Sequence, residues 1–394
     1  MTSTEREVLA RIESSDVVDL LVRLVAFPSV NPPGEELEIA RFVAQALEAL
    51  GFRTVVEDVL ARRPNVVGIL GNGGKRIVFN THLDVVPATS WNHGDPFTAR
   101  TEDGRIYGRG AADPKGSLAA MIVAAKAVVE SSVELAGEVA ITAVSDEEGA
   151  SLGAKSLFTS FSGDYGVVGE PTSLRPMIAH RGSLRVVVAS IGRAAHSALP
   201  DEGINAIYEM IPVLHAIQEL HHRVARRSHR LCGSPTITVT QIRGGLKENM
   251  IPDRCEITLD RRLVPGEDPK EAVREIEEAL DRTRRHGGPA CELVRMIETT
   301  GGAAETAQDE AIVRLAVRSV ADIVGQEVLP GGLAVACDMV HLTTAGIPTV
   351  VLGPGDIALA HTADEYVGVQ ELVHAAKIYA LLILRAVCRE SAAS

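Results

Sequence analysis

The feature that most constrains this fold is a change in the order of its apolar runs. Up to about residue 181, short Val/Ile-rich runs bounded by turn residues alternate with segments of helical spacing. "NVVGILG", "RIVFNTHLDVV", "EVAITAVS" and "YGVVGE" read as buried strands, and the intervening "PKGSLAAMIVAAKAVVES" reads as a helix. Such alternation predicts an α/β domain, a mostly parallel sheet with helices on both faces. From about Gly182 to Arg295 the order becomes strand ("SLRVVVASI"), helix, strand ("TITVTQI"), strand ("RCEITLDRRL"), helix ("DPKEAVREIEEALDRTRR") and strand ("CELVRMI"). That βαββαβ order predicts a small ferredoxin-like α+β domain. Helix, strand and helix then follow to the C-terminus. The expected architecture is one α/β domain, residues 1–181 and 296–394, interrupted by an inserted domain at 182–295.

Composition narrows the partners. Aromatic residues make up only 3% against 46% hydrophobic in all, so Val, Leu, Ile and Ala must fill the core. A net charge of −13 argues against nucleic acid or an anionic membrane as partner. The basic run "HHRVARRSHR" (221–230) reads as the solvated end of a helix. Five cysteines without a CxxC pair fit reduced thiols in a cytoplasm. The charged N-terminus lacks the apolar stretch of a signal peptide, and "YALLILRAV" is too short to span a bilayer. A soluble, cytoplasmic protein is expected.

The chemistry-bearing residues gather at predicted strand ends. In "THLDVV", His82 and Asp84 are two apart and point to one side of a strand end, where α/β sheets place their ligand crevices. Asp113 precedes Pro114 and a long helix, which reads either as an N-cap with Pro at the first helical position or as a carboxylate able to bridge two cations. The adjacent acids Glu147 and Glu148 follow a strand expected to be buried, where their repulsion is costly. A divalent metal on one of them offsets that repulsion and leaves the other available as a base. Glu170 ends the next strand in "VVGEPT", and His361 lies in the Gly/Pro-rich loop "LGPGDIALAHTADEYV". Two histidines and several acids without thiolates suit a catalytic zinc-type site, and their number suits two metals sharing one carboxylate.

In order along the chain stand "SVNPPGEE", "THLDVVP", "GRGAADPKG", "SDEEGA", "GEPT", "GRAAHSALP" and "GPGDIALAHTADEYV". This set resembles the acetylornithine deacetylase, succinyl-diaminopimelate desuccinylase, aminoacylase and carboxypeptidase G2 family of di-zinc hydrolases, over nearly the whole chain. The resemblance implies a zinc-exopeptidase type of catalytic domain and a role for the insert as lid and dimerisation module. It implies two divalent ions per subunit, Zn2+ with Co2+ as a substitute. His82 and Glu170 then bind one ion, Glu148 and His361 the other, and Asp113 bridges both. Asp84 matches the carboxylate that orients His82, and Glu147 matches the general base acting on a metal-bridging water. His196 in "AAHSAL" matches a histidine that reaches the partner subunit's site and polarises the scissile carbonyl. Asn249 and Arg262 match lid positions that contact substrate, and Arg261, next on the strand, should face the other way. The implied substrate is an N-acyl amino acid, closest to the acetylornithine deacetylase-like members. The alternatives are a short peptide cleaved by a metallo-carboxypeptidase or dipeptidase of the same fold, and a catalytically inactive binding homologue.

Overall fold

A computed structural model describes residues 1–285 and 288–388. The chain forms two compact units. The larger comprises Met1–Ile178, Glu305–Gly332 and the chain from Cys337 onward; the smaller comprises Ala179–Ala304 and Leu333–Ala336.

The larger unit is built on a sheet whose four central strands run parallel: Glu138–Val144, Arg76–His82, Tyr165–Val168 and Thr349–Val351, in that spatial order. Antiparallel strands flank them. Arg63–Gly71 pairs with Glu138–Val144, and Arg53–Leu60 pairs with Arg63–Gly71 at the margin. Every residue of Glu138–Val144 is buried, as are six of the seven in Arg76–His82, so both faces of these strands are covered. This is why Ile77–Phe79 and Val139–Ile141 stand as consecutive apolar residues and not as an alternation. The helices Lys115–Glu130 and Val369–Val387 pack on these strands and on each other, and Leu37–Ala49 packs on the two antiparallel strands. Lys115–Glu130 is buried on nearly all sides, consistent with its Ala- and Val-rich sequence. Val369–Val387 is anchored at Tyr379, whose hydroxyl donates to the Leu352 carbonyl at 2.6 Å and whose ring meets Phe79 edge-on.

Parallel register places the strand ends side by side. His82 lies opposite Val144, Asn80 opposite Val168, and Val168 opposite Val351. The loops after these strands, carrying Asp84, Glu147, Glu170 and the 353–361 segment, therefore leave the sheet along one edge. Gly353 makes that crowding possible, because a side chain there would come within 2.5 Å of the Glu170 carbonyl.

The smaller unit is an antiparallel sheet in the order Thr236–Gly244, Arg254–Leu263, Gly182–Ile191, Cys291–Gly301, backed by the helices Ala206–Val224 and Pro269–Arg285. This is the split βαββαβ arrangement. Arg254–Leu263 alternates buried and open positions strictly. Ile257 and Leu259 join Val186, Val188, Met210, Ile217, Ile276 and Leu280 in one core. Arg261 is on that inner side, 1% exposed and donating to Glu267, whereas Arg262 is on the open side. Among the described residues no helix is long and apolar enough to cross a membrane.

Candidate metal centre

The strand-edge loops of the larger unit bring together His82, Asp113, Glu147, Glu148, Glu170 and His361. Asp113 is central. One of its oxygens lies 3.3 Å from Nε2 of His82 and the other 3.4 Å from Nε2 of His361. Oε1 of Glu170 lies 3.8 Å from the same His82 nitrogen, and Oε1 of Glu148 is 2.9 Å from Nε2 of His361. Two clusters result, His82–Asp113–Glu170 and Asp113–Glu148–His361, each close enough for its atoms to share one cation. Glu147 belongs to neither, and its Oε2 stands 3.9 Å from Nε2 of His82.

Asp113 is presented by a structure other than a simple helix cap. The helix begins at Lys115, after a cis Asp113–Pro114 bond, with Pro114 at the cap position. The main chain of Ala112 and Asp113 is fixed instead by Glu365, whose Oε1 accepts both N–H groups at 3.0 and 3.1 Å. Oε2 of Glu365 pairs with Arg109 at 2.5 Å. Asp84 holds the acid pair. Its two oxygens accept the N–H groups of Glu147 and Glu148, each at 3.1 Å. Its contact to His82 is mainly through the main chain: Nδ1 of His82 is 2.9 Å from the Asp84 carbonyl and 3.6 Å from its carboxylate. That bond fixes the ring with Nε2 toward Asp113.

The electrostatics are those of a cation site. Burial pushes Glu147 well above the usual carboxylate range; His82 pulls it back, while Glu170, Asp338 and Glu148 add to the rise. Burial likewise raises Glu170 and Glu148. Burial opposes charge on His82, yet hydrogen bonds to Asp113 and Asp84 lift it well above an ordinary imidazole. Hydrogen bonds to Asp113 and Glu148 raise His361 to about 10. Asp113 is lowered despite its burial, through its bonds to His361 and His82. Oε1 of Glu170 is buried without a hydrogen-bond partner, and Oδ1 of Asp113 is met only by the long 3.3 Å approach of His82. Unpaired buried carboxylate oxygens are costly unless a cation meets them. The donor set therefore fits two divalent ions.

Asp338 is a member of this neighbourhood that the sequence did not reveal. It is 1% exposed, accepts from Asn80 at 3.1 Å, and is raised to about 6 by burial. Its motif "ACDMV" carries no local signal.

The remaining expected residues belong to the smaller unit. His196 and Asn249 meet in a short ribbon: Ala195–His196 pairs with Met250–Ile251, and the Ser197 N–H donates to the Asn249 carbonyl at 3.0 Å. Both side chains are exposed. Nδ1 of His196 accepts the Ala198 N–H at 3.1 Å, which turns Nε2 outward. Arg262 lies on the strand Arg254–Leu263, where Asp260 holds its guanidinium at 2.7 and 3.3 Å.

The family pattern described as Peptidase family M20/M25/M40 matches residues 78–385. Acetylornithine deacetylase of Vibrio cholerae serotype O1 is 32% identical over 340 residues, 84% of this chain and 87% of that one. Acetylornithine deacetylase of Myxococcus xanthus is 32% identical over 352 residues, covering 86% and 89%. An M20 family metallo-carboxypeptidase from Sulfolobus solfataricus superposes with a TM-score of 0.78 at 20% identity, covering 93% of this chain and 98% of that one. A dinuclear metal-binding M20 peptidase from Bacillus subtilis gives 0.70 at 14% identity, covering 94% and 98%.

Proposed function

Since the chain belongs to peptidase family M20/M25/M40 and is a metal-dependent hydrolase acting on amide bonds, we propose that it removes the acyl group of an N-acyl amino acid. The observation that carries this is Asp113, whose two oxygens face two histidines from opposite sides while two further acids, Glu170 and Glu148, complete the two clusters. His82, Asp113 and Glu170 would hold one ion; Asp113, Glu148 and His361 would hold the other. Nitrogen and oxygen donors without sulfur favour Zn2+, with Co2+ as a substitute. When bound, such ions lower the proton affinity of water and polarise the amide carbonyl.

The chain's own residues do the rest. Glu147, outside both clusters and raised by burial, accepts the proton of the attacking water and returns it to the leaving amine. Asp84 holds its main chain. His196 of the partner subunit donates from Nε2 to the carbonyl oxygen as charge develops there. Asn249 and Arg262 receive the amino acid's carboxylate, with Asp260 keeping the Arg262 fork in place.

The smaller unit acts as lid and dimerisation module in this reading. On the helix Ala206–Val224 and just before it, Ile204, Tyr208 and Ile211 fall on one exposed face. Leu246 is 90% exposed in the neighbouring loop. An apolar surface of this kind fits an interface with a second copy. The relatives' names favour deacylation of an N-acyl amino acid over peptide cleavage.

A panel of N-acetyl, N-formyl and N-succinyl amino acids and dipeptides, run with the chelated protein and after restoring zinc or cobalt, tests the proposal. Metal-restored hydrolysis of an N-acyl amino acid in preference to dipeptides is expected. Dipeptide preference would move the assignment to a peptidase, and no turnover by metal-loaded protein would leave a binding homologue.

A further inference from the structure

Beneath the acid pair lies a second set of buried polar residues that touches neither metal cluster. The loop after Glu138–Val144 turns at Asp146, a non-glycine residue in the left-handed region at φ +68°. Aspartate tolerates that conformation when its side chain bonds locally. Here Oδ2 of Asp146 accepts the N–H groups of Ala150 and Leu152 at 3.2 and 3.4 Å. Its Oδ1 receives Nη1 of Arg63 at 2.8 Å and the amide nitrogen of Asn31 at 3.1 Å. The other edge of Arg63 is taken by Glu36, at 2.5 and 3.0 Å.

Asn31 does more than fill space. The same amide nitrogen donates to Oδ2 of Asp84 at 2.8 Å. A primary amide has two protons, so one nitrogen can serve two carboxylates at once. Asp84 and Asp146 would repel each other across this gap, and Asn31 supplies a donor to each. The fit is close: a side chain on Gly149 would come within 2.6 Å of Oδ1 of Asp146 and 3.2 Å of the Asn31 nitrogen. Asn31, Asp84 and Asp146 are 7%, 0% and 5% exposed, so water cannot readily replace the amide.

Asp84 in turn accepts the N–H groups of Glu147 and Glu148. The direction in which the two neighbouring side chains leave the main chain is therefore set by a carboxylate that Asn31 holds from behind. We propose that Asn31 is a positioning residue for amide hydrolysis, bridging Asp84 and Asp146 so that Glu147 is aimed as the base. The inference rests on the reading of Glu147 given above. Misplacing a reacting group by about 1 Å can cost roughly 100-fold in rate.

The test uses full-length Asn31→Ala and Asp146→Asn, singly and combined, loaded with zinc, on the N-acyl amino acid turned over fastest in the panel. Asparagine at 146 keeps the left-handed turn and removes the charge that faces Arg63. Supporting partners of this kind lower activity about 10- to 100-fold when removed. That loss is expected in kcat for each variant, with KM held within about threefold. Both ions should remain bound, and the double variant should lose less than the product of the single losses. Turnover within about twofold of wild type in folded Asn31→Ala would overturn the inference. So would, in folded protein, a loss explained by KM or by missing metal, or strictly multiplicative losses. If Asn31→Ala does not fold, Asp146→Asn alone decides by the same kcat and metal criteria. Glu147→Gln separates the two layers: an active Glu147→Gln sinks the base itself, whereas an inactive one beside a normal Asn31→Ala sinks only the role of Asn31.

Discussion

The metal centre of the larger unit and the His196 ribbon of the smaller one hold their polar groups in opposite ways. In the first, Asp113 and Glu170 are buried and Glu147 and Glu148 half-buried, and the main chain of three of them is tied down: Asp113 by Glu365, Glu147 and Glu148 by Asp84. In the second, His196 and Asn249 are exposed at a ribbon of two short strands, and the loop residues 245–249 are all open to solvent. Groups that must keep fixed distances to a cation need a rigid surround before substrate arrives. Groups that close over a substrate can be left on a mobile-tolerant surface and ordered later. The difference separates what is built in from what must be completed, in our proposal by a second copy and by substrate.

Substitutions on either side should break in different ways. Glu147→Gln should have the largest effect among residues outside the metal clusters, a fall in kcat of about 100- to 10,000-fold with both ions retained. Near-normal turnover, measured with metal content in the same sample, would remove Glu147 as base. His196→Ala should lower kcat about 100- to 1,000-fold, the range for one donor to a developing oxyanion, again without metal loss. Mixing it with Glu147→Gln should restore activity through hybrid dimers, since one of the two sites would then hold both residues. No recovery after demonstrated subunit exchange would place His196 outside the partner's site.

A smaller, graded effect concerns pH. His361 is raised from the ordinary imidazole value to about 10 by its bonds to Asp113 and Glu148. In the metal-free protein this protonated pair contributes stability fully below about pH 6.5 and loses it as pH rises through about 10. A cation must displace that proton. Metal uptake at neutral pH should therefore release protons, and apparent affinity should climb with pH until His361 is neutral. Calorimetric titration in buffers of different ionisation heat measures both, and pH-independent affinity would contradict the arrangement.

Much of this was readable in the sequence because it repeats locally. The runs "RIVFNTH" and "EVAITAV" set apolar residues side by side because both faces of those strands are covered, and the alternation in "RCEITLDRRL" gives the one-sided sheet of the smaller unit. The strand Arg53–Leu60 was missed because it sits at the sheet margin with most residues open, so "RTVVEDVL" shows no clear period. Asp338 was missed for another reason: its partner Asn80 is 258 positions away, and nothing near it in the chain announces the contact. Asn31 stood within a legible motif, "SVNPPGEE", but its role depends on Asp84 and Asp146, 53 and 115 positions on. Asp113 could be read as a helix cap, and only the fold shows the helix starting two residues later.

Anomalous diffraction from crystals grown with cobalt tests the central claim, that Asp113 is shared by two cations, most directly. Two peaks are predicted about 3.5–4 Å apart, one beside His82 and Glu170, the other beside Glu148 and His361, with one oxygen of Asp113 on each. A single peak, or a pair lying away from Asp113, would contradict it.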